Sequence, residues 1–342
     1  MKHTHRWLAG LALASALGGA LGPAPAAAES LPPPAPVLAT SRRLFDPRTD
    51  GEYMIFLAAP ADDLAQTRLR GMRLPDGPEF DIAGPSAGGP PYSAVISNGI
   101  AVWAQQPCAN CPADILAKDL ATGRQFAVAD SPLDEHAPSI SGTWVAWREL
   151  DADTARIKVR PLTSPEAPTT IISAPLADGI EAPVIAGLHV YWAASRFEYG
   201  QPLRWSLHHR KFGSDRIDTL GEGQAAPTYD AAGDLVVFGG YGQPITVRDM
   251  ATDYSRQIAA AGVSPTTDGR YVFWGQVREA GPDHSELPIA GYDSFTLSTF
   301  EAAAPADTQI NMNPHARGGR LVWQRIVGDN RNELFARDAK AA

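Results

Sequence analysis

Few residues in this chain have both the type and the spacing for chemistry. Cys108 and Cys111 are its only cysteines, in the stretch PCANCP. A redox dithiol needs a helix N-terminus to lower a thiol pKa, and the flanking prolines argue against a helix. A tetrahedral zinc site needs two further ligands from elsewhere. A local disulfide needs only an oxidising compartment, and it is the expected state. Asp283, His284 and Glu286 in GPDHSELP have the side chains of a divalent-metal site, and Glu149, Asp151 and Asp153 alternate like calcium ligands. The second trio lacks the glycine and distal glutamate of an EF-hand, and short acidic loops are usually just solvated. No cofactor is therefore expected, with calcium or another divalent metal as the alternative.

Hydrolytic signatures are equally sparse. Thr266-Thr267-Asp268-Gly269 comes nearest to a sialidase-type Ser-x-Asp-x-Gly box but lacks the spacer before glycine, and it reads as a turn. No Gly-x-Ser-x-Gly elbow occurs. A lactonase-type set of Glu, Asn and Asp around a central metal has no spacing by which to find it. His208 and His209 are neighbours on one expected strand, so their rings point to opposite faces and read as structural. No residue is assigned a catalytic role.

The elements that must carry these residues repeat. HAPSISGTWVAW ends at Trp147, and looser copies end at Phe56, Trp103, Trp192, Phe238, Trp274 and Trp323. Units of roughly 40–50 residues with strands inside them mark a β-propeller. The expectation is all-β, a seven-bladed propeller, with six or eight blades as alternatives. In the third unit strand A is Pro138–Ile140, B is Trp144–Trp147, C is Ile157–Leu162 and D is Thr169–Ile172. The seventh unit has A, B and C but no D. A spare strand, Val37 to Thr40, precedes the first unit and is expected to close the ring by pairing with the last. The repeating aromatics occupy one slot at the end of strand B and read as core between blades.

The N-terminus reads as a secretory signal peptide over 1–28: Lys2 and Arg6, an apolar run from Trp7 to Gly22, then Ala26-Ala27-Ala28. Removing 28 of 342 residues leaves 314, which seven units fill. A proline-rich lead-in covers 29–36 and one propeller domain covers 37–342. The formal charge moves from −9 to −11 once Lys2 and Arg6 are gone. An acidic surface repels phosphate backbones, so nucleic acid is not an expected partner. No membrane span is expected after the signal is removed.

Pro-x-Ile-Ser-Gly, then Val-x-Trp, then Asp-Leu-x-Thr-Gly resembles the repeats of TolB-like propellers, and more so those of their secreted and cell-surface relatives. Asn313-Pro314 through Trp323, with Gly328 to Phe335, resembles the surface repeats most. The extra domain of TolB itself has no room here. The resemblance implies a binding or scaffolding protein in the periplasm, on the cell surface or outside the cell.

Strand order A-B-C-D puts the B–C and D–A loops on one face and the A–B and C–D turns on the other. The B–C loops at Gln105–Ala113, Ala194–Leu203, Gln276–Pro288 and Arg325–Asn332 exceed what the fold needs, and such loops carry function. Arg196, Phe197, Glu198 and Tyr199 form an interface-like mix, and Asp283, His284 and Glu286 lie on another long loop. The expected function is an exported, non-enzymatic propeller that binds a protein or a cell-envelope glycan through this face. The alternatives are a propeller hydrolase or lactonase with a metal in the central channel, and a structural surface protein.

Overall fold

Short extended segments pair with their sequence neighbours along the whole chain. The computed structural model describes residues 34–164, 167–196, 199, 203–276, 278–281, 284–304, 310–327 and 331–340. The expected signal peptide lies outside these residues. β1 (Pro36–Ala39) stands apart from the strands that follow it. β2 (Arg43–Thr49), β3 (Tyr53–Ala59), β4 (Arg68–Arg73) and β5 (Glu79–Ala83) make the first antiparallel meander. β6 (Tyr92–Ser97), β7 (Ile100–Gln105), β8 (Asp114–Asp119) and β9 (Gln125–Ala129) make the second. β10 (Asp134–Ser141), β11 (Trp144–Leu150), β12 (Thr154–Pro161) and β13 (Thr169–Pro175) make the third. β14 (Val184–Ala186), β15 (His189–Arg196), β16 (Arg204–Lys211) and β17 (Asp218–Gln224) make the fourth.

Next come β18 (Pro227–Ala232), β19 (Leu235–Gly240), β20 (Gln243–Asp249), β21 (Ser255–Thr267) and β22 (Tyr271–Gly275). β23 (Arg278–Gly281) and β24 (His284–Glu286) form a separate hairpin, followed by β25 (Ile289–Asp293) and β26 (Ser298–Ala303). The last strands are β27 (Ile310–Arg317), β28 (Arg320–Ile326) and β29 (Asn332–Asp338). They share a sheet with β1, which pairs antiparallel with β29. β1 starts one residue earlier than expected from the sequence.

Seven separate four-stranded sheets are not what forms. Among the described residues there are five, and the fifth and sixth repeats share one seven-stranded sheet, β18-β19-β20-β21-β22-β25-β26. The reason is β21, which is 13 residues long and runs unbroken from the fifth repeat into the sixth. Its first half pairs with β20 and its second with β22. Gly262 marks the crossing, where a Cβ would lie 2.6 Å from Cδ1 of Trp274.

The B strands supply the core. β3, β7, β19 and β28 are buried along nearly their whole length. The repeating aromatics are all inside: Phe56, Trp103 and Trp323 are fully buried, and Trp147, Trp192, Phe238 and Trp274 nearly so. Each packs in a cluster that bridges two consecutive repeats, as Trp147 does with Val102, Ile115 and Val128. Trp192 does the same with Ile157 and Ile171. Val322 and Leu334 of the last repeat pack with Leu44 and Phe56 of the first, and Val37 and Leu38 of β1 join them.

The inner strands need a second device, because each presents backbone N–H groups with no strand beside it. Side chains of one repeat accept them from the next. Ser139 Oγ accepts from Ile185 N at 3.0 Å, Thr266 Oγ1 from Ala316 N at 3.1 Å, and His315 Nδ1 from Thr49 N at 3.2 Å. One step further along, Asp50 takes Gly99 N, Ser97 takes Gly142 N, and Ser141 takes Gly187 N. A bulge precedes these acceptors. In β2, β10, β21 and β27 the register shifts at a residue of positive φ followed by proline, as at Ala137-Pro138 and Asn313-Pro314. Proline is compatible with a strand at such a bulge, where no ladder hydrogen bond is lost. The C strands add basic clasps, with Lys118 donating to the Ile82 carbonyl, Arg160 to Val128, Arg210 to Ile171 and Arg337 to Ala302. This all-β architecture of radially packed meanders is a β-propeller.

Candidate functional site

A cleft of about 1030 Å³ lies between the third and fourth sheets. One face of the fourth sheet floors it, set out by register. Arg196, Arg204 and Gln224 are directly opposite one another across β15, β16 and β17. Ala194, Ser206 and Glu222 form the next row, and Trp192, His208 and Thr219 the row below. Alternation along each strand turns these side chains to one face, while Trp205, Leu207 and His209 point into the opposite packing. Ile172 and Ala174 of β13 with Asp178 and Ile180 of the following connection make the facing wall.

Backbone geometry holds the mouth of the cleft together. Gly179 has φ 59°, and a Cβ there would sit 2.0 Å from the Ser195 carbonyl oxygen. Only glycine lets this connection press against the end of β15, where Ser195 N donates to Gly179 O at 2.9 Å. The contact brings Asp178 within 3.8 Å of Arg196. Among the described residues Arg204 and Glu222 have no ion pair of their own. Deeper in, His208 Nε2 lies 2.8 Å from Ser206 Oγ, and its Nδ1 lies 3.3 Å from Thr219 Oγ1. Burial lowers the His208 pKa and Glu222 partly opposes this, so the imidazole is neutral near pH 7.

The residues expected at the site are only partly brought together. Arg196 lines the cleft, but as the last residue of β15 and not in a loop, because β15 runs on to pair with β16. Tyr199 is 99% exposed near the same edge. Phe197, Glu198 and Asp283 lie outside the described residues, as do the side chains of His284 and Glu286. The loop expected to carry these last two holds the β23–β24 hairpin. The B–C connections are long in most repeats but not all: only residues 151–153 link β11 to β12, and only 241–242 link β19 to β20.

The calcium-like trio does not converge. Glu149 is buried and pairs with Lys158 at 3.1 Å and Arg156 at 3.4 Å. Asp151 accepts from Ala152 N, and Asp153 from the Thr154 hydroxyl. Among the described residues no three His, Cys, Asp or Glu side chains gather to hold a metal. In the central region Asp230 is held by Arg317 and Asp50 by Gly99 N, so these carboxylates face protein donors. Of the four residues read as a turn, Thr266 and Thr267 end β21 and only Asp268-Gly269 turns, with Asp268 Oδ1 accepting from Arg270 N and Tyr271 N. His209 stacks on His189 with their nitrogens 2.6 Å apart. Burial, then the neighbouring His189, lowers the His209 pKa to about 4, which keeps this pair out of acid–base work near neutrality. Cys108 and Cys111 are bonded, and Gly88 packs on the backbone of their loop.

Sequence reasoning missed Arg204, Ser206, Glu222 and Gln224. A signal was present: Arg204-x-Ser206-x-His208 places a polar residue at every second position of a strand, opposite Glu222-x-Gln224. Without the register, nothing in the sequence says that this face lines a cleft.

No family model matches the sequence, and no curated protein does. Solved structures do. The β-propeller domain of the Trilobed protease from Pyrococcus furiosus, described as having an open velcro topology, matches with TM-score 0.68 at 11% identity, over 88% of this chain and 97% of that one. Pyrococcus horikoshii acylaminoacyl peptidase matches with TM-score 0.65 at 12% identity, over 87% of this chain and 52% of that one. TolB from Acinetobacter baumannii matches with TM-score 0.51 at 12% identity, over 85% of this chain and 65% of that one. The chain thus has a TolB-like propeller fold and spans about half the length of the peptidase. At these identities the likeness is one of fold. Among the described residues no helix is long and apolar enough to cross a membrane.

Proposed function

We propose that the chain is an exported, non-enzymatic seven-bladed propeller that binds a protein or a cell-envelope glycan at the face of its B–C and D–A connections. The observation that carries this is the cleft between the third and fourth sheets, with two arginines side by side at its mouth. A fold needs no such pair, since like charges directly opposite on neighbouring strands are unfavourable. Export rests on the signal-peptide pattern of 1–28 and on the cysteine pair. Its kinship is with the secreted and cell-surface members of the TolB-like group.

The test needs a ligand first, from cell-envelope pull-down or a glycan array. Arg196→Ala with Tyr199→Ala should change stability by no more than about 1 kcal/mol, since both side chains are largely exposed. The pair should weaken binding by about 2 kcal/mol or more. Thr122→Ala with Arg124→Ala, on the opposite face, should leave binding unchanged. Loss of binding from the second pair alone would mean the other face is used.

The ring reading takes the seven-stranded sheet as two blades joined through β21, and β1 as the fourth strand of the last blade. Deleting 34–40 would strip β29 of its outer neighbour and uncover Leu44 and Leu334. We expect a loss of roughly 2–4 kcal/mol, the burial of Val37 and Leu38 plus a lost strand pairing. An unchanged denaturation midpoint would remove β1 from the ring. The cysteines are expected to be oxidised in the exported protein. The loop they close is very short, so replacing both by Ser should cost no more than about 2 kcal/mol. Free thiols titrated in protein recovered from outside the cytoplasm would contradict this.

A further inference from the structure

We infer that the cleft between the third and fourth sheets takes an acidic saccharide, its carboxylate bound by Arg196 and Arg204; this rests on the cleft being the ligand site. Arg196 and Arg204 are register partners at the ends of their strands. Asp178 lies 3.8 Å from Arg196 and balances one charge. Among the described residues Arg204 makes no ion pair, so its guanidinium is open to a ligand's carboxylate. The guanidinium fork matches a carboxylate in two parallel hydrogen bonds, so a single carboxylate satisfies both charge and geometry.

The rows behind the arginines say what the carboxylate is attached to. Gln224 offers donors and an acceptor, Ser206 a hydroxyl that does both, and Glu222 acceptors alone. A hydroxyl group of a sugar donates and accepts at once, and this mixture suits several of them in sequence. The facing wall is apolar at Ile172, Ala174 and Ile180, as the C–H face of a pyranose ring requires. A ligand with many carboxylates is served poorly. Glu222 stands one row below the arginines and repels a second negative charge, which argues against an acidic peptide. The cleft's volume stands at the upper end of small-ligand sites, roughly 300–1,000 Å³, so it has room for a short oligosaccharide. The chain's net charge of −9 does not forbid an anion. Distant charges are screened beyond about 8 Å at physiological salt, and the arginines act at contact.

The experiment is calorimetric titration of the full exported chain with a panel of uronate- and sialate-bearing oligosaccharides and their carboxyl-reduced counterparts. At least one acidic member should bind tenfold or more tightly than its reduced counterpart. Arg204→Ala should abolish that preference without moving the melting temperature, because the side chain is exposed, and Arg204→Lys should restore part of it. Ala174→Trp, which fills the cleft from the facing wall, should remove binding. If acidic and reduced members bind equally and Ala174→Trp blocks both, the acidic ligand is wrong and the cleft stands. If Ala174→Trp leaves binding intact, the cleft is not the ligand site and both readings fall. No binding of any acidic member at millimolar concentration overturns the inference. So does preferred binding of an oligoglutamate peptide that Arg204→Ala abolishes.

Discussion

Asp230→Ala should lower the unfolding free energy by about 2–4 kcal/mol, somewhat under the range for removing one partner of a fully buried ion pair because the two side chains keep some exposure. Asp230 sits on β18, and Arg317 reaches it from β27, two repeats later, with Nη2 to Oδ1 at 2.6 Å and Nη1 to Oδ2 at 2.8 Å. The same Oδ2 accepts from Thr266 Oγ1 at 2.7 Å and from Thr267 N at 3.0 Å. Arg317 also donates to the carbonyls of Ala231, Thr267 and Ala316. One carboxylate thus joins three consecutive repeats. Its removal leaves a largely enclosed guanidinium without a counterion and the Thr267 N–H without an acceptor, and both omissions are costly. Replacing both residues by apolar ones, as in Asp230→Leu with Arg317→Met, should recover much of the loss.

The same pair has a pH signature. Burial would raise the Asp230 pKa, but the charge and hydrogen bonds of Arg317 outweigh it and hold the carboxyl at about 2. Its unfolded value is about 3.9. The pair's contribution is therefore complete above about pH 4 and is lost as pH falls through 2, amounting to roughly 2–3 kcal/mol. Urea denaturation from pH 2 to 7 measures both effects. Asp230→Ala should be the less stable protein at pH 7, and the gap should narrow in acid. A difference below about 1 kcal/mol at pH 7 would show that the link carries little of the fold.

The repeat was legible because each unit spends a large aromatic on the same slot, and Trp103, Trp147, Trp192, Trp274 and Trp323 are buried as that regularity requires. Tight A–B turns were legible for a similar reason, since Asp50-Gly51 and Asp268-Gly269 carry their turn chemistry in adjacent residues. The boundary at β21 was not. Nothing local distinguishes a strand that continues through Gly262 from one that stops, because the choice is made by pairing with β20 and β22. Nor were the links between repeats. Ser139, Thr266 and His315 share no residue type, and only their position against the next inner strand makes them equivalent acceptors. The cleft was half visible: Arg196 stood out beside Tyr199, whereas Arg204 and Glu222 gain meaning only from cross-strand register. Sequence identifies residues that act with their chain neighbours, and it hides those that act across strands.

Glu135→Gln should stabilise the protein at pH 8 by about 2–3 kcal/mol and have little effect at pH 4.5. Glu135 on β10 is 1% exposed and lies directly opposite Glu149, itself buried, on β11. Glu149 has Arg156 and Lys158. Glu135 Oε1 accepts from the Ser131 N–H at 3.2 Å, and among the described residues its buried Oε2 has no hydrogen-bond partner. Burial is the main cause that raises its pKa, with Asp114 and Glu149 adding to it and the Ser131 hydrogen bonds opposing, and the result is about 7. An unfolded glutamate titrates near 4.3. Between those values the folded chain holds a proton that the unfolded chain has released, so stability falls as pH rises through this window and then levels off. A shift of this size corresponds to roughly 3–4 kcal/mol at most. Glutamine keeps the oxygen for Ser131 and cannot ionise, so the slope should vanish. Its amide also gains a donor facing Glu149. Denaturation of both proteins between pH 4 and 8.5 decides the matter. Parallel curves across that range would mean that Glu135 does not hold its proton in the folded protein.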